Sequence, residues 1–185
     1  MDFLLNLDTQ LFYFVNVTLA NPVTGKFFTL LTESSNWSIL YLFSALWLLF
    51  FDGKRGRIVF ATLIVAILLS DQITSHVIKE LVGRMRPCQT LEHINLLVSC
   101  GPGKSFPSSH AANNFAAAFV LSFFYKKNPW VYFVTATLIA LSRIVVGVHY
   151  PADVIAGAMV GTCIALILRL ILVELFEKRL KIAIR

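Results

Sequence analysis

Apolar residues fill most of this chain in runs too long and too continuous to be one face of a soluble helix. Residues 37–51 (WSILYLFSALWLLFF), 57–79, 108–125, 129–148 and 152 to about 173 each carry enough apolar helical length to cross a hydrocarbon layer about 30 Å thick, the first with help from its flanks. The pattern predicts five spans. The opening segment differs. Phe3, Leu4, Leu7, Leu11, Phe14 and Val15 recur at helical spacing, while Asp2, Asn6, Asp8 and Gln10 interrupt any continuous apolar run. Such a segment predicts an interfacial amphipathic helix. After the turn signal Asn21-Pro22, residues 23–32 continue in the same manner, and Pro22 suits the first turn of a second short helix. A sixth, short span here is the alternative. The fold class expected is all-α: a polytopic membrane helical bundle of about five spans, with residues 1–36 as interfacial amphipathic helices and 37–185 as the membrane-embedded core of one domain.

Composition agrees with one small embedded domain, since 57 % of the 185 residues are hydrophobic and only 14 % charged. The net charge of +6 raises the question of nucleic acid. Its distribution answers it, because the basic residues cluster as Lys54/Arg55/Arg57, Lys126/Lys127 and Lys178/Arg179/Lys181/Arg185, each beside an apolar run. That is positive-inside topology rather than a nucleic-acid groove. With five spans, all three groups fall on one side, expected to be cytoplasmic. The other side then holds the N-terminal helices, the loop from Gly83 to Pro107 and the turn from His149 to Ala152. No basic n-region followed by a small-residue cleavage site opens the sequence, so no removable signal peptide is expected.

Three polar blocks stand out against this background: KELVGRMRP (Lys79 to Pro87), PSSH (Pro107 to His110) and SRIVVGVHYPAD (Ser142 to Asp153). Ionisable groups in or beside a membrane span are costly, which makes function their default reading. The topology places all three blocks on the same, outer face. Phosphoryl transfer requires neutralised equatorial oxygens, an in-line nucleophile and an acid on the leaving oxygen. Lys79, Arg86 and Arg143 supply cations, and the arginine forks suit phosphate. Helices beginning at Ser108 and Pro151 add N-terminal N–H donors. A neutral His149 can attack phosphorus through one ring nitrogen while Asp153 holds the other N–H, leaving His110 to protonate the leaving oxygen. This scheme needs no metal and no cofactor, and the outer segments lack a carboxylate cluster for Mg²⁺ or a Cys/His set for Zn²⁺.

Around the blocks, Asp71, Ser75 and Lys79 share one helix face, with Asp71 either pairing inside the bundle or supporting the site. Arg84 and His93 read as loop charges, with Arg84 within reach of a lipid headgroup as the alternative. Gly157 and Gly161 form a small-xxx-small pair that predicts a close helix contact. Arg169 is expected near the inner interface, where it can snorkel. Cys88 and Cys100 lie in the outer loop, where an oxidising compartment allows a disulfide closing roughly a dozen residues. We expect that bond, two free thiols being the alternative. Cys163, inside the last span, reads as a small packing residue.

The blocks resemble the type 2 phosphatidic acid phosphatases, whose motifs run K-x6-R-P, P-S-G-H and S-R-x5-H-x3-D. About ten identities in three ordered blocks carry the resemblance, over Lys79 to Asp153. It implies phosphate binding by Lys79, Arg86, Ser108, the backbone at Ser109 and Arg143. It further implies His149 as the nucleophile forming a phosphohistidine, Asp153 as its orienting partner and His110 as general acid. Ser109 stands where glycine is commoner, and a side chain there would narrow the pocket. Distantly similar vanadium haloperoxidases share the oxyanion motifs but are larger soluble proteins.

The reading is therefore an integral membrane phosphatase acting on a lipid phosphate or diphosphate at the outer leaflet. Isoprenyl diphosphate, lipid A phosphate and phosphatidylglycerophosphate are the candidate substrates. The expected partners are that lipid and the bilayer, with neither nucleic acid nor an obligate protein partner. A bacterial inner membrane, with the site facing the periplasm or the outside, is the expected location. A lipid-to-lipid phosphotransferase using the same intermediate and a non-catalytic lipid-phosphate carrier are the alternatives.

Overall fold

The computed structural model describes residues 2–172 and 174, and every regular element among them is helical. Helix α1 (Asp2–Tyr13) runs on through a π-helical turn (Phe14–Thr18). Helix α2 (Pro22–Thr32) is started by the Asn21 side chain, which accepts from the N–H groups of Val23 and Thr24, with Pro22 in the first turn. A 3₁₀ turn (Ser34–Trp37) leads into α3 (Ser38–Phe50), and a tight turn leads into α4 (Gly53–Gln72). A π-helical turn (Ile73–Ile78) and α5 (Lys79–Val82) prolong α4 up to Gly83, whose φ of 65° gives the left-handed end that glycine tolerates. The following loop holds one turn of helix, α6 (Pro87–Thr90). Helices α7 (Ser109–Phe124), α8 (Pro129–Val145) and α9 (Pro151–Leu172) complete the chain.

Two helices, the run from Gly53 and α9, are long and apolar enough to cross a membrane by length and composition, and Ser34–Phe50 and Pro129–Val145 are apolar but shorter. Large apolar side chains such as Phe3, Ile39, Phe43, Leu68, Trp130, Met159 and Leu170 are exposed on the outside of the bundle. Where α7 crosses its neighbours, the interior is built from small residues. Helix α7 packs against α4, α8 and α9, and Ala111, Ala112, Ala116 and Ala118 are buried, because small side chains let neighbouring backbones close in. The glycine pair of α9 lets it approach α7 closely. A Cβ on Gly157 would lie 2.3 Å from the Ser108 carbonyl oxygen, and one on Gly161 would lie 2.0 Å from that of Ala112. This crossing holds the first turn of α9 against the first turn of α7.

At the other end of the bundle Arg55 donates to the Phe124 carbonyl and lies 4.3 Å over the Tyr125 ring, while the Tyr125 hydroxyl donates to Asp52. The basic groups at Lys54/Arg55/Arg57 and Lys126/Lys127 thus share one end, away from Lys79 and Ser109. The third group, Lys178/Arg179/Lys181/Arg185, lies outside the described residues. Arg169 stacks over Phe123 at 4.9 Å.

One expectation is sharpened and one is corrected. Asp8, which interrupts the apolar run of α1, is buried with Phe12 and Asn16, one turn apart each, while Leu4, Leu7, Leu11 and Phe14 are exposed. There Asp8 meets the Arg84 guanidinium and the Ala152 N–H, and Asn16 meets the carbonyls of Asn95 and Val145, while Phe12 between them packs among Ala111, Ile144 and Tyr150. Cys163 is exposed rather than packed, because the buried face of α9 is taken by Gly157, Gly161, Ile164 and Ala165.

Candidate active site

His149 sits in the short connection between α8 and α9, 2 % exposed, beside a fully buried Asp153. The approach is made by the sequence itself, since Pro151 starts α9 and puts Asp153 in its first turn. His149 Nδ1 lies 3.4 Å from Asp153 Oδ2 and 3.5 Å from Ser105 Oγ. Its Nε2 lies on the far side of the ring, 3.5 Å from Arg86 Nη1. With Nδ1–H turned to the carboxylate, Nε2 keeps a free lone pair. Burial pushes the His149 imidazole down to about 4, helped by Arg86 and Arg143 and opposed by Asp153. The ring is held neutral, as a nucleophile requires.

Asp153 is held from several directions. Its Oδ2 accepts from the Tyr150 N–H at 2.8 Å and from Ser105 Oγ, and its Oδ1 accepts from Arg84 Nη1 at 2.9 Å. The Ser108 N–H donates to the Asp153 carbonyl at 2.9 Å, tying the PSSH block to the start of α9. Ser108 caps α7 by accepting from the Ala111 N–H, which leaves its hydroxyl hydrogen to donate.

The three cations reach this pair from different elements. Arg86 is fixed by the carbonyls of Gly103 and Val148, at 3.2 and 3.3 Å, and burial holds its guanidinium below the usual arginine range. Arg143 donates to Thr32 Oγ1 on α2 at 2.6 Å, and its Nε is buried without a hydrogen-bond partner. Lys79 donates to Ser109 Oγ at 2.9 Å, and Thr74 and Ser75 lie 2.9 and 3.1 Å from the same hydroxyl. Ser109 thus serves Lys79 with its side chain, and Asp71 joins this group through Ser75 at 3.3 Å. His110, on the first turn of α7, stands in the field of Arg143, His149, Lys79 and Arg86. A buried orphan donor amid three cations is the arrangement an anion completes.

All eight residues named from the sequence therefore converge at one end of the bundle. Cys88 and Cys100 are disulfide-bonded, with Cα atoms 6.0 Å apart. Sequence reasoning missed Ser105 and Thr32, and it missed that Asp8 and Arg84 meet each other beside Asp153. Arg84 does lie in the loop between α5 and α6, but it is sandwiched between Asp153 and Asp8 and lies 3.8 Å over the Tyr150 ring. The one available signal was its position two residues before Arg86.

The comparisons with known proteins agree with this geometry. The family model described as the PAP2 superfamily matches residues 58–177. A lipid A 4′-phosphatase of Bacteroides thetaiotaomicron is 32 % identical over 170 residues, covering 87 % of this chain and 75 % of the relative. An undecaprenyl-diphosphatase of Sulfolobus acidocaldarius is 27 % identical over 162 residues, covering 87 % and 76 %. The crystal structure of Aquifex aeolicus LpxE superposes with a TM-score of 0.76 at 30 % identity, covering 88 % of this chain and 94 % of that one. The matched segment takes in every one of the eight site residues, and the chain belongs to the PAP2 superfamily, a phosphate-ester hydrolase by class.

Proposed function

We propose that the protein is an integral membrane lipid phosphatase that works through a phosphohistidine on His149. The observation that carries this is the two-sided environment of that ring, with Nδ1 toward Asp153 at 3.4 Å and Nε2 toward Arg86 at 3.5 Å. The substrate phosphate sits among Lys79, Arg86, Arg143, Ser108 and the N–H groups at the start of α7, where it satisfies the Arg143 Nε. Nε2 attacks phosphorus, and the P–O bond to the leaving group breaks as the N–P bond forms. His110 gives its proton to the departing oxygen. Water then attacks the phosphohistidine with His110 as base, releasing inorganic phosphate.

The apolar exterior and the one-ended clustering of the basic loops support five spans with the site at the outer face. A site held there suits a phosphate carried on an acyl or prenyl lipid, and the relatives named for lipid A and undecaprenyl substrates fit that class. The test is phosphate release by the detergent-purified protein, with EDTA present. The panel is isoprenyl diphosphate, lipid A, phosphatidylglycerophosphate and phosphatidic acid, alongside His149→Ala. Release that vanishes in the variant is expected. Activity surviving in His149→Ala would remove it as nucleophile, and phosphate passed only to another lipid would make the enzyme a transferase.

A further inference from the structure

We propose that Asp8 and Arg84 are positioning residues for the His149–Asp153 pair: Arg84 pins one oxygen of Asp153, and Asp8 balances the charge that Arg84 brings. The proposal rests on the phosphohistidine reading above. Arg84 Nη1 donates to Asp153 Oδ1 at 2.9 Å and Nη2 to Asp8 Oδ2 at 2.6 Å. Asp8 Oδ1 accepts the Ala152 N–H at 2.8 Å, between His149 and Asp153 in the chain. The side chains of Arg84, Asp8 and Asp153 are 19 %, 9 % and 0 % exposed. A carboxylate of the first helix is thus bonded to the backbone of the motif that carries the nucleophile.

Two physical demands explain the arrangement. The Tyr150 N–H, Ser105 and the imidazole all address Oδ2 of Asp153, and a carboxylate held at one oxygen can swing about its Cβ–Cγ bond. Arg84 at Oδ1 stops that swing. The second demand is charge. As Nε2 gives its lone pair to phosphorus, the ring becomes cationic, and in dry surroundings a nearby carboxylate stabilises it strongly. Arg84 alone would cancel that carboxylate. With Asp8 present, two carboxylates and one guanidinium leave a net charge of about −1 facing the ring.

The experiment uses the full-length protein in detergent and compares wild type with Asp8→Asn, Asp8→Glu, Arg84→Gln and Arg84→Lys. Asn at position 8 keeps an acceptor for the Ala152 N–H but turns an NH2 group toward Arg84 Nη2, so it removes the charge together with the bond to Arg84. We expect Asp8→Asn to lower kcat about ten-fold and Arg84→Gln about a hundred-fold, with KM within about two-fold, since the group lost acts on the developing charge and not on the bound phosphate. Asp8→Glu and Arg84→Lys are expected to recover part of the loss, which a fold defect would not allow. The His149 ring, followed by ¹⁵N NMR in histidine-labelled protein without substrate, is expected to lose its single tautomer in Arg84→Gln. Wild-type kcat in Asp8→Asn, a rise in KM alone, or an unchanged tautomer in Arg84→Gln would overturn the proposal. An active His149→Ala would instead overturn the phosphohistidine reading, and the tautomer measurement still decides the positioning role.

Discussion

Lys79 donates to the Ser109 hydroxyl across 2.9 Å, joining the end of the α4–α5 run to the first turn of α7. Ser109 stands at the motif position where glycine is commoner, and its hydroxyl orders a long cationic side chain before substrate arrives. Immobilising such a side chain costs about 0.5–1.5 kcal/mol, which the substrate must supply if the protein does not. Ser109→Gly is expected to raise KM for a lipid phosphate about 3- to 10-fold while kcat stays within about three-fold. Steady-state phosphate release decides it, and an unchanged KM would show that Lys79 needs no anchor.

The burial of His149 has a consequence for stability against pH. Its imidazole is held at about 4, below the ordinary value near 6.5. Between those values the unfolded chain binds a proton that the folded protein refuses. Stability is therefore complete above about pH 6.5 and is lost as pH falls toward about 4. Thermal unfolding without substrate should show wild type losing midpoint temperature over that interval more steeply than His149→Gln. Parallel curves would mean that His149 is not held neutral.

The helices were legible because long apolar runs bounded by Pro22, Gly83, Pro129 and Pro151 leave few alternatives in a membrane-like composition. The site was legible where catalysis demands fixed spacing, as between Arg143, His149 and Asp153. It was not legible where a residue acts through a distant partner. Arg84 meets Asp8 and Asp153 across separations of 76 and 69 residues, and no local pattern records that. Asp8 showed only as a break in an apolar run, because its partner Arg84 lies 76 residues away in the chain. Ser105 lies in a Gly/Pro-containing stretch with no periodicity, so its role emerged only from contact with Asp153.

Asn16 offers a test of how the first helix is held. Its side-chain amide donates to the carbonyls of Asn95 at 2.9 Å and Val145 at 2.8 Å, while its Oδ1 accepts the Asn95 N–H at 2.8 Å. Asn95 returns a bond to the Asn16 carbonyl at 2.7 Å. The residue is fully buried, so Asn16→Ala strands polar backbone groups that water cannot reach. Each buried group left unsatisfied costs about 1–3 kcal/mol, and more than one is affected. A midpoint lowered by several degrees in detergent is expected. Asn16→Asp, which keeps the acceptor but sets a buried carboxylate oxygen against the carbonyls of Asn95 and Val145, should fall at least as far as Asn16→Ala, and an unshifted Asn16→Ala would show that the clamp contributes nothing.

The Cys88–Cys100 bond closes a loop of sequence separation 12, and both ends of that loop serve the site. Arg86 precedes Cys88 by two residues, and its Nε donates to the carbonyl of Gly103, three residues beyond Cys100. Ser105, two residues further, holds Asp153. Opening the bond releases a Gly/Pro-containing segment that positions Arg86 and the Ser105 contact to Asp153 together. On chain-entropy grounds the cross-link contributes about 3 kcal/mol. The Cys88→Ser/Cys100→Ser double variant should therefore unfold at a lower temperature than wild type, and reductant should bring wild type to the same midpoint. A merely structural staple would leave the kinetics of the surviving folded fraction intact. A staple that also sets Arg86 and Ser105 should raise KM and lower kcat together, measured well below the variant's midpoint. Unchanged kinetics would restrict the bond to stability.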